Sequence, residues 1–175
     1  RKYCSRICCT QAIKNALLMK EKNPETEILI VYKDIRTYGF NELYYQKARD
    51  LGVIFTRYDD NSKPEIIADK NNLYVQIKDP ILNEQIKFPA DLVVLGAAIV
   101  PDITNKETAQ LLKVPLNEDG FFLEAHMKLR PVDFATDGIF VCGLAHSPKS
   151  LDEAIAQAIA AANRAGIVLA KDCID

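Results

Sequence analysis

Hydrophobic and polar positions change their spacing along the first 60 residues, and each change predicts an element. Residues 10–22 carry apolar side chains every three or four positions, which predicts a helix with Thr10 as its N-cap. The nearly continuous apolar run "EILIVYKDI" predicts a strand buried on both faces of a parallel sheet. A second helix, "NELYYQKARDLG", starts at Asn41 as its cap and ends at Gly52, before a second strand, "VIFTRYD". This order is that of the later part of a βαβαβ unit, whose first strand is expected before Arg1.

The pattern changes to short alternating segments between residues 64 and 88. "PEIIAD", "LYVQIKD" and "EQIKF" are separated by turns at Asn71-Asn72 and Asp79-Pro80, which predicts an antiparallel meander. The apolar run "ADLVVLGAAIVPD" then predicts a buried strand that returns to the parallel sheet.

Composition shifts after Pro101, where we place a domain boundary. "NKETAQLLKV" predicts a short helix or turn, "GFFLEAHMKLRPVD" an extended segment and "GIFVCG" a buried strand. A long Ala-rich helix follows, and Ser150 and Glu153 form the S-x-x-E pattern of a capping box at its start. The expected division is therefore 1–100 and 101–175.

Charge and composition exclude several classes of protein. The chain of 175 residues has a formal net charge of -2, which gives no basic field for nucleic acid. Its apolar runs are too short or too interrupted to span a bilayer, and the start has no signal-peptide pattern. Because residue 1 is not Met, we expect a fragment or a processed piece. Five cysteines, an odd and clustered number, favour a cytoplasmic protein with reduced thiols or metal ligands over a secreted disulfide framework.

Three cysteines, Cys4, Cys8 and Cys9, stand just before the first helix. Thiolates are soft ligands, and a helix N-terminus offsets their charge, so the cluster suits a metal or iron–sulfur site. A cubane cluster takes four cysteines, and the fourth is Cys142, Cys173 or a residue upstream. The spacing matches no regular ferredoxin or zinc-finger motif, so a reactive trio without a function remains the alternative.

The glycine-rich G-x-G-x-x-G turn of dinucleotide-binding domains is absent from the sequence. It is expected between the first strand and the first helix, where "YCSRICC" stands instead. This weakens an interpretation as an NAD(P)H site and favours a domain that has exchanged a nucleotide for a cluster.

A second candidate site follows the predicted strand "GIFVCG". The strand ends at Gly143, and a short loop with His146 and Lys149 leads into the capped helix. A helix N-terminus presents free N–H groups and a partial positive charge, which suits a phosphate or the electron-rich end of a flavin. The alternative is an ordinary βα turn with a solvated lysine.

Four long blocks resemble the A-subunit family of heterodisulfide reductase: "YCSRICCTQAIKNAL", "DIRTYGFNELYYQKARDLGVIFTRYD", "DLVVLGAAIVP" and "NEDGFFLEAHMKLRPVDFATDGIFVCGLAHSPKSLDEAIAQA". The resemblance implies a C-terminal-region fragment with a thioredoxin-reductase-like architecture. Residues 1–100 would be a Rossmann-like nucleotide-binding-type domain lacking its first strand, and residues 101–175 the second part of an FAD-binding domain. It also implies a [4Fe-4S] cluster held by Cys4, Cys8 and Cys9, with a fourth ligand upstream.

The resemblance extends to a flavin motif in which Thr136, Gly138 and Gly143 match. Leu144 stands where the related enzymes carry an aspartate for the ribityl chain, so that contact is in doubt. Lys149 is expected near the reactive edge of the isoalloxazine ring. The implied cofactor-binding residues are Thr136, Gly138, Gly143, Leu144, His146, Lys149 and Ser150.

The implied activity is electron transfer from FAD to iron–sulfur clusters, with flavin-based bifurcation as one form of it. Implied partners are the other heterodisulfide reductase-type subunits, a hydrogenase or ferredoxin as electron donor, and a second copy in a homodimer. The fragment alone is expected to be inactive and to hold neither cofactor firmly. Two alternatives are a non-catalytic interaction module and a zinc-stabilised loop that adds His126 or His146 to the thiolates.

Overall fold

The computed structural model describes residues 1–70 and 72–170, which form two compact units. We call Cys8–Ala97 the sheet unit, and Arg1–Ile7 together with the residues from Ala98 onward the loop-rich unit. The first seven residues thus belong with the later part of the chain, although the sequence predicted one region over 1–100. The identities of the two predicted domains stay predictions.

The sheet unit begins with two helices that alternate with two parallel strands, as predicted. In it, Leu29 of the first strand lies opposite Ile54 of the second. The elements are α1 (Cys8–Lys22), β1 (Leu29–Tyr32), α2 (Asn41–Asp50) and β2 (Ile54–Arg57). β1 is half-buried along its length rather than fully buried. The chain is therefore an α/β protein.

One apolar core joins both helices to this sheet. Ile13 and Ala16 of α1 meet Ala48 of α2 and Val53, the residue just before β2. Both predicted helix caps were wrong. Thr10 lies inside α1, which begins at Cys8, and the cap of α2 is Phe40, whose backbone is already near-helical and makes no side-chain cap. Asn41 is therefore the first helical residue.

The predicted antiparallel meander is confirmed. It consists of β3 (Glu65–Asp69), β4 (Asn72–Lys78) and β5 (Gln85–Ala90), with β4 in the centre. The turn after β4 is held by the Asp79 carboxylate, which accepts hydrogen bonds from the N–H groups of Ile81 at 2.8 Å and Leu82 at 2.9 Å. In the other predicted turn, Asn71 lies outside the described residues.

The predicted strand over residues 90–102 was wrong. β5 ends at Ala90, residues 91–100 take no strand hydrogen bonds in the described chain, and Leu92, Val94 and Leu95 are exposed. Apolar composition raises β-propensity, but a strand needs a neighbour whose backbone groups complete its ladder. Within residues 1–70 and 72–170, β1 and β2 pair only with each other.

As far as residue 170, the loop-rich unit contains two helices and a small core. The helices are α3 (Asn105–Leu112) and α4 (Leu151–Leu169), and a 3-10 turn spans Gly143–Ala145. The core brings together Ala109, Val114, Phe134 and Val141. The short helix and the long capped helix were both predicted.

The predicted strand "GIFVCG" was also wrong. One bridge pairs Asp133 with Phe140, flanked by a hydrogen bond from Val141 N–H to the carbonyl of Val132 at 2.8 Å. Gly143 then turns the chain at φ 67°, in the left-handed region that favours glycine.

The length and hydropathy of the helices show whether any of them could span a membrane. Among residues 1–70 and 72–170, no helix combines the length and apolarity that crossing a bilayer requires.

Candidate functional site

The first cysteine lies in a segment that is fastened on both sides to one residue of the loop-rich unit. The Tyr3 hydroxyl donates to the carbonyl of Ile99 at 2.8 Å, and the N–H of Ile99 donates to Ser5 Oγ at 3.0 Å. The Tyr3 ring also meets Phe121 edge-on, with 5.5 Å between ring centroids. These contacts fix the backbone on either side of Cys4.

The residue after this anchor turns the chain back towards the sulfur. Arg6 has φ 63°, an uncommon left-handed conformation for a non-glycine residue. Its backbone N–H donates to Cys4 Sγ at 3.2 Å. An N–H group aimed at sulfur stabilises negative charge there, and such bonds are among the terms that set cluster potentials.

The other two predicted ligands open α1. Cys8 and Cys9 are its first two residues, and Cys9 Sγ lies 3.6 Å from the carbonyl oxygen of Asp34. Cys4, Cys8 and Cys9 form no disulfide and are all of intermediate exposure. A helix N-terminus favours the thiolate form that metals bind.

Metal ligation requires several donor side chains that converge on one point. Across residues 1–70 and 72–170, no group of three or more His, Cys, Asp and Glu side chains is arranged to hold a metal ion. The chemistry of the donors still fits three ligands of an iron–sulfur cluster. For zinc the ligand set is poorer, because His126 Nδ1 already accepts the N–H of Lys128 at 3.1 Å. Cys173 lies outside the described residues.

The start of α4 is capped as the sequence predicted. Glu153 Oε2 accepts the N–H of Ser150 at 3.0 Å and its hydroxyl at 3.1 Å. The N–H of Ser150 and the guanidinium of Arg6 hold the pKa of Glu153 below its usual range. The capping box therefore places the chain's own carboxylate at the helix terminus that was predicted to offer free N–H groups to an anion.

Lys149 points into the protein. It is only 7% exposed, and its ammonium donates to the carbonyl of Gly143 at 2.8 Å and to Ser147 Oγ at 3.3 Å. Its Nζ also lies 3.1 Å from His146 Nδ1. Burial lowers the pKa of Lys149. The solvated lysine of the alternative interpretation is therefore wrong, and the flavin role of Lys149 stays a prediction.

A glutamine of α4 fixes the tautomer of His146. The N–H of Gly143 donates to Gln157 Oε1 at 2.9 Å, so the amide nitrogen of Gln157 faces His146 Nδ1 at 2.9 Å. Two donors, from Gln157 and Lys149, thus meet Nδ1, which must accept. The ring proton is then on Nε2 and donates to Glu124 Oε2 at 2.6 Å.

The same contact determines the charge of Glu124. Burial is the largest single influence and raises the pKa of Glu124, but the hydrogen bond from His146, a backbone hydrogen bond and the nearby Lys149 together outweigh it, so the pKa ends below its usual range. Glu124 is thus an ionised carboxylate that orients the ring of His146.

We expect nitrogen-15 NMR of the imidazole to show the Nε2–H tautomer of His146 at neutral pH. Gln157→Ala removes one donor to Nδ1, so the signal should move towards a mixture of tautomers. Gln11→Ala, which breaks an exposed side-chain bond to Asn15, is the control. A protein whose His146 carries its proton on Nδ1 would contradict the assignment.

Not all of the predicted flavin residues come together. Gly143, His146, Lys149 and Ser150 share one loop, in which Leu144 is exposed. Thr136 and Gly138 lie in a separate turn, where Thr136 Oγ1 donates to the carbonyl of Lys113 at 3.1 Å.

Sequence reasoning missed two members of this loop's network. Gln157 lies four positions after Glu153, so helical periodicity places it on the same face, and that signal was available. Glu124 is reached only through the irregular segment 120–133, and no local pattern points to it. The ion pair of Arg6 with Glu153, at 2.5 Å, likewise joins residues far apart in sequence.

Known proteins with similar sequences are A subunits of heterodisulfide reductases. The A subunit of the Methanosarcina acetivorans ferredoxin:CoB-CoM heterodisulfide reductase is 46% identical over 166 residues, 94% of this chain and 20% of that protein. The iron-sulfur A subunit of the Methanocaldococcus jannaschii CoB–CoM heterodisulfide reductase is 42% identical over 174 residues, 97% of this chain and 26% of that protein. In Methanothermobacter thermautotrophicus, the A subunit of the H(2):CoB-CoM heterodisulfide,ferredoxin reductase is 39% identical over 173 residues, again 97% and 26%.

These matches extend along almost the entire chain, which is thus related to subunits of an oxidoreductase. More particularly, it is homologous to a segment of the A subunit of heterodisulfide reductase, which confirms the resemblance. The chain spans about a fifth to a quarter of the length of these relatives. No protein-family model matches the sequence.

Proposed function

We propose that the chain is part of a flavin- and iron–sulfur-dependent electron-transfer subunit of heterodisulfide reductase type. The observation that carries the proposal is the identity of 42% over 174 residues with a protein named as an iron-sulfur subunit. Electron transfer runs from FAD to [4Fe-4S] clusters in this proposal, and flavin-based bifurcation is its more specific form.

The proposed cluster ligands in this chain are Cys4, Cys8 and Cys9. Their support is the donor chemistry: three half-buried cysteine sulfurs within six positions, one of which accepts a backbone N–H. A bound cluster would supply one-electron transfer. The chain's own part is to fix Cys4 through Tyr3 and Ser5 and to present Cys8 and Cys9 at a helix N-terminus.

The proposed flavin contacts lie in the loop before α4. In this proposal residues 1–100 are a Rossmann-like domain and residues 101–175 the second part of an FAD-binding domain. Bound FAD would supply the exchange between two-electron and one-electron steps. The Lys149 ammonium places a cation beside the loop, and His146 and Glu124 orient that ammonium. The adjoining backbone is formed by Gly143, Leu144 and Ser150. Contacts of Thr136 and Gly138 with the cofactor are the least supported, because these residues lie in another turn.

The partners proposed for the whole protein are the other reductase subunits, with a hydrogenase or ferredoxin as electron donor. The names of the Methanosarcina and Methanothermobacter relatives include ferredoxin and H(2), and they support this choice. A homodimer and a cytoplasmic location complete the proposal. The chain by itself is proposed to be inactive.

The test is to purify the protein without oxygen, in the longest form that its gene encodes, and to measure iron, acid-labile sulfide and flavin. We expect brown protein and a cluster signal in electron paramagnetic resonance after reduction. Cys8→Ser should lose about four irons per chain relative to the parent, because each cubane cluster holds four. Cys142→Ser, a free thiol outside the proposed ligand set, is the matched control.

Two results would contradict the proposal. Iron-free and flavin-free protein in the longest form would remove both cofactors and favour the interaction-module alternative. A Cys8→Ser protein that keeps its full iron content would remove the cysteine segment from the cluster site.

A further inference from the structure

One ion pair joins the cysteine segment to the start of α4. Arg6 Nη2 lies 2.5 Å from Glu153 Oε1, although the two residues are 147 positions apart in the sequence. Both side chains are partly exposed, so the pair is not held by burial. Its geometry must come from the groups that hold each partner.

Other hydrogen bonds hold each residue of the ion pair in place. The backbone of Arg6 is tied to Cys4 Sγ, next to the anchor that Tyr3 and Ser5 make on Ile99. On the other side, Glu153 uses its second oxygen to accept the N–H of Ser150. A continuous series of hydrogen bonds and one ion pair therefore runs from the sulfur of Cys4 to the residue that follows Lys149.

Lys149 experiences the charges at both ends of this pair. Burial is the largest influence and lowers the pKa of Lys149; Glu153 raises it, and Arg6 lowers it. The charged and titratable groups that face its ammonium are Glu153 of α4, Arg6 of the cysteine segment, and Cys142, Glu124 and His146 of the surrounding loops. Since Arg6 and Glu153 act with opposite sign, each offsets part of the other's effect on the pKa of Lys149.

We propose that the Arg6–Glu153 ion pair couples the cysteine segment to the Lys149 loop, so that Arg6 and Glu153 are positioning residues that set the electrostatic field at Lys149. The coupling is a property of the ion pair itself. The role of this coupling in electron transfer rests on the proposed function, in which Cys4 is a cluster ligand and Lys149 lies beside the flavin. Charge that builds up at the cysteine sulfurs then changes the electrostatic field at Lys149 by way of Arg6.

The test measures how fast the Lys149 amine is acylated by a water-soluble reagent over a range of pH, read by peptide mass spectrometry. Only the neutral amine reacts. Arg6→Ala leaves Glu153 unopposed, which raises the pKa of Lys149 and slows acylation by about threefold at a fixed pH below that pKa. Glu153→Gln removes the carboxylate that raises the pKa of Lys149, while Arg6 keeps its charge, and acylation becomes about threefold faster. Glutamine at this position keeps the capping box, because the motif accepts either residue.

The opposite signs separate coupling from simple loosening. A variant that merely unfolds the loop exposes Lys149, and acylation then becomes faster in both proteins. Arg6→Lys keeps the charge and should stay near the parent rate. Lys33→Ala, which breaks an exposed ion pair with Asp60 in the sheet unit, is the control and should leave the acylation rate of Lys149 unchanged.

Changes in the same direction for Arg6→Ala and Glu153→Gln, or rates equal to that of the parent in both, would overturn the proposal. The measurement uses the longest form of the protein and needs neither iron nor flavin. A failed iron analysis would therefore leave this result intact, and the reverse also holds.

Discussion

Replacing Phe121 by alanine is expected to lower the free energy of unfolding of the loop-rich unit by about 3–5 kcal/mol. Phe121 is 2% exposed and is the largest of the fully buried side chains. Its removal leaves a cavity and takes away the edge contact with Tyr3, at 5.5 Å between centroids. The anchor of the cysteine segment should weaken as well, so the Cys4 thiol should be alkylated faster.

Chemical denaturation measures the overall loss of unfolding free energy. Because two units need not unfold in one transition, hydrogen exchange is needed to assign that loss to the loop-rich unit. Phe40→Ala is the matched control, because Phe40 is 87% exposed. Surface changes of this kind usually stay within about 0.5 kcal/mol. A loss as small for Phe121→Ala as for Phe40→Ala would contradict the packing described.

The second large effect is expected in the sheet unit, where Ile13→Ala should lower the free energy of unfolding by about 2–5 kcal/mol. Ile13 is 1% exposed and packs with Ala16, Ala48 and Val53 beneath both helices. Helix propensity opposes this loss only weakly, since alanine exceeds isoleucine by a few tenths of a kcal/mol, roughly, in a helix interior.

Hydrogen exchange of amides in α1 and β1 measures this effect where it arises. Leu18→Ala tests a large apolar residue on the same helix that is 44% exposed, and it should cost much less. If Leu18→Ala proved the more damaging of the two, the buried face of α1 would be wrongly assigned.

Local signals carried most of the correct predictions. The spacing of apolar residues located α1 and α2, the alternation in 64–88 located the meander, and Ser150 with Glu153 located the start of α4. Each signal lies within a few residues of the element it predicts, because helices and hairpins close their hydrogen bonds locally.

The wrong predictions concern strands whose partners cannot be identified locally. Residues 90–102 and 138–143 have strand-like composition, yet the described chain provides no neighbouring strand for the first and one bridge for the second. The candidate site shows the same division. His146 and Lys149 were found from the loop before the helix, whereas Glu124 joins them only through tertiary structure.

The unpaired apolar segment after β5 has a consequence for handling the protein. Residues 92–100, "LVVLGAAIV", contain no charge and no proline, and Leu92, Val94 and Leu95 are exposed. Such stretches have the composition of segments that stack between molecules into intermolecular β-sheets. At high concentration this segment should therefore limit solubility, and a charged residue in place of Val94 should delay aggregation without touching either core.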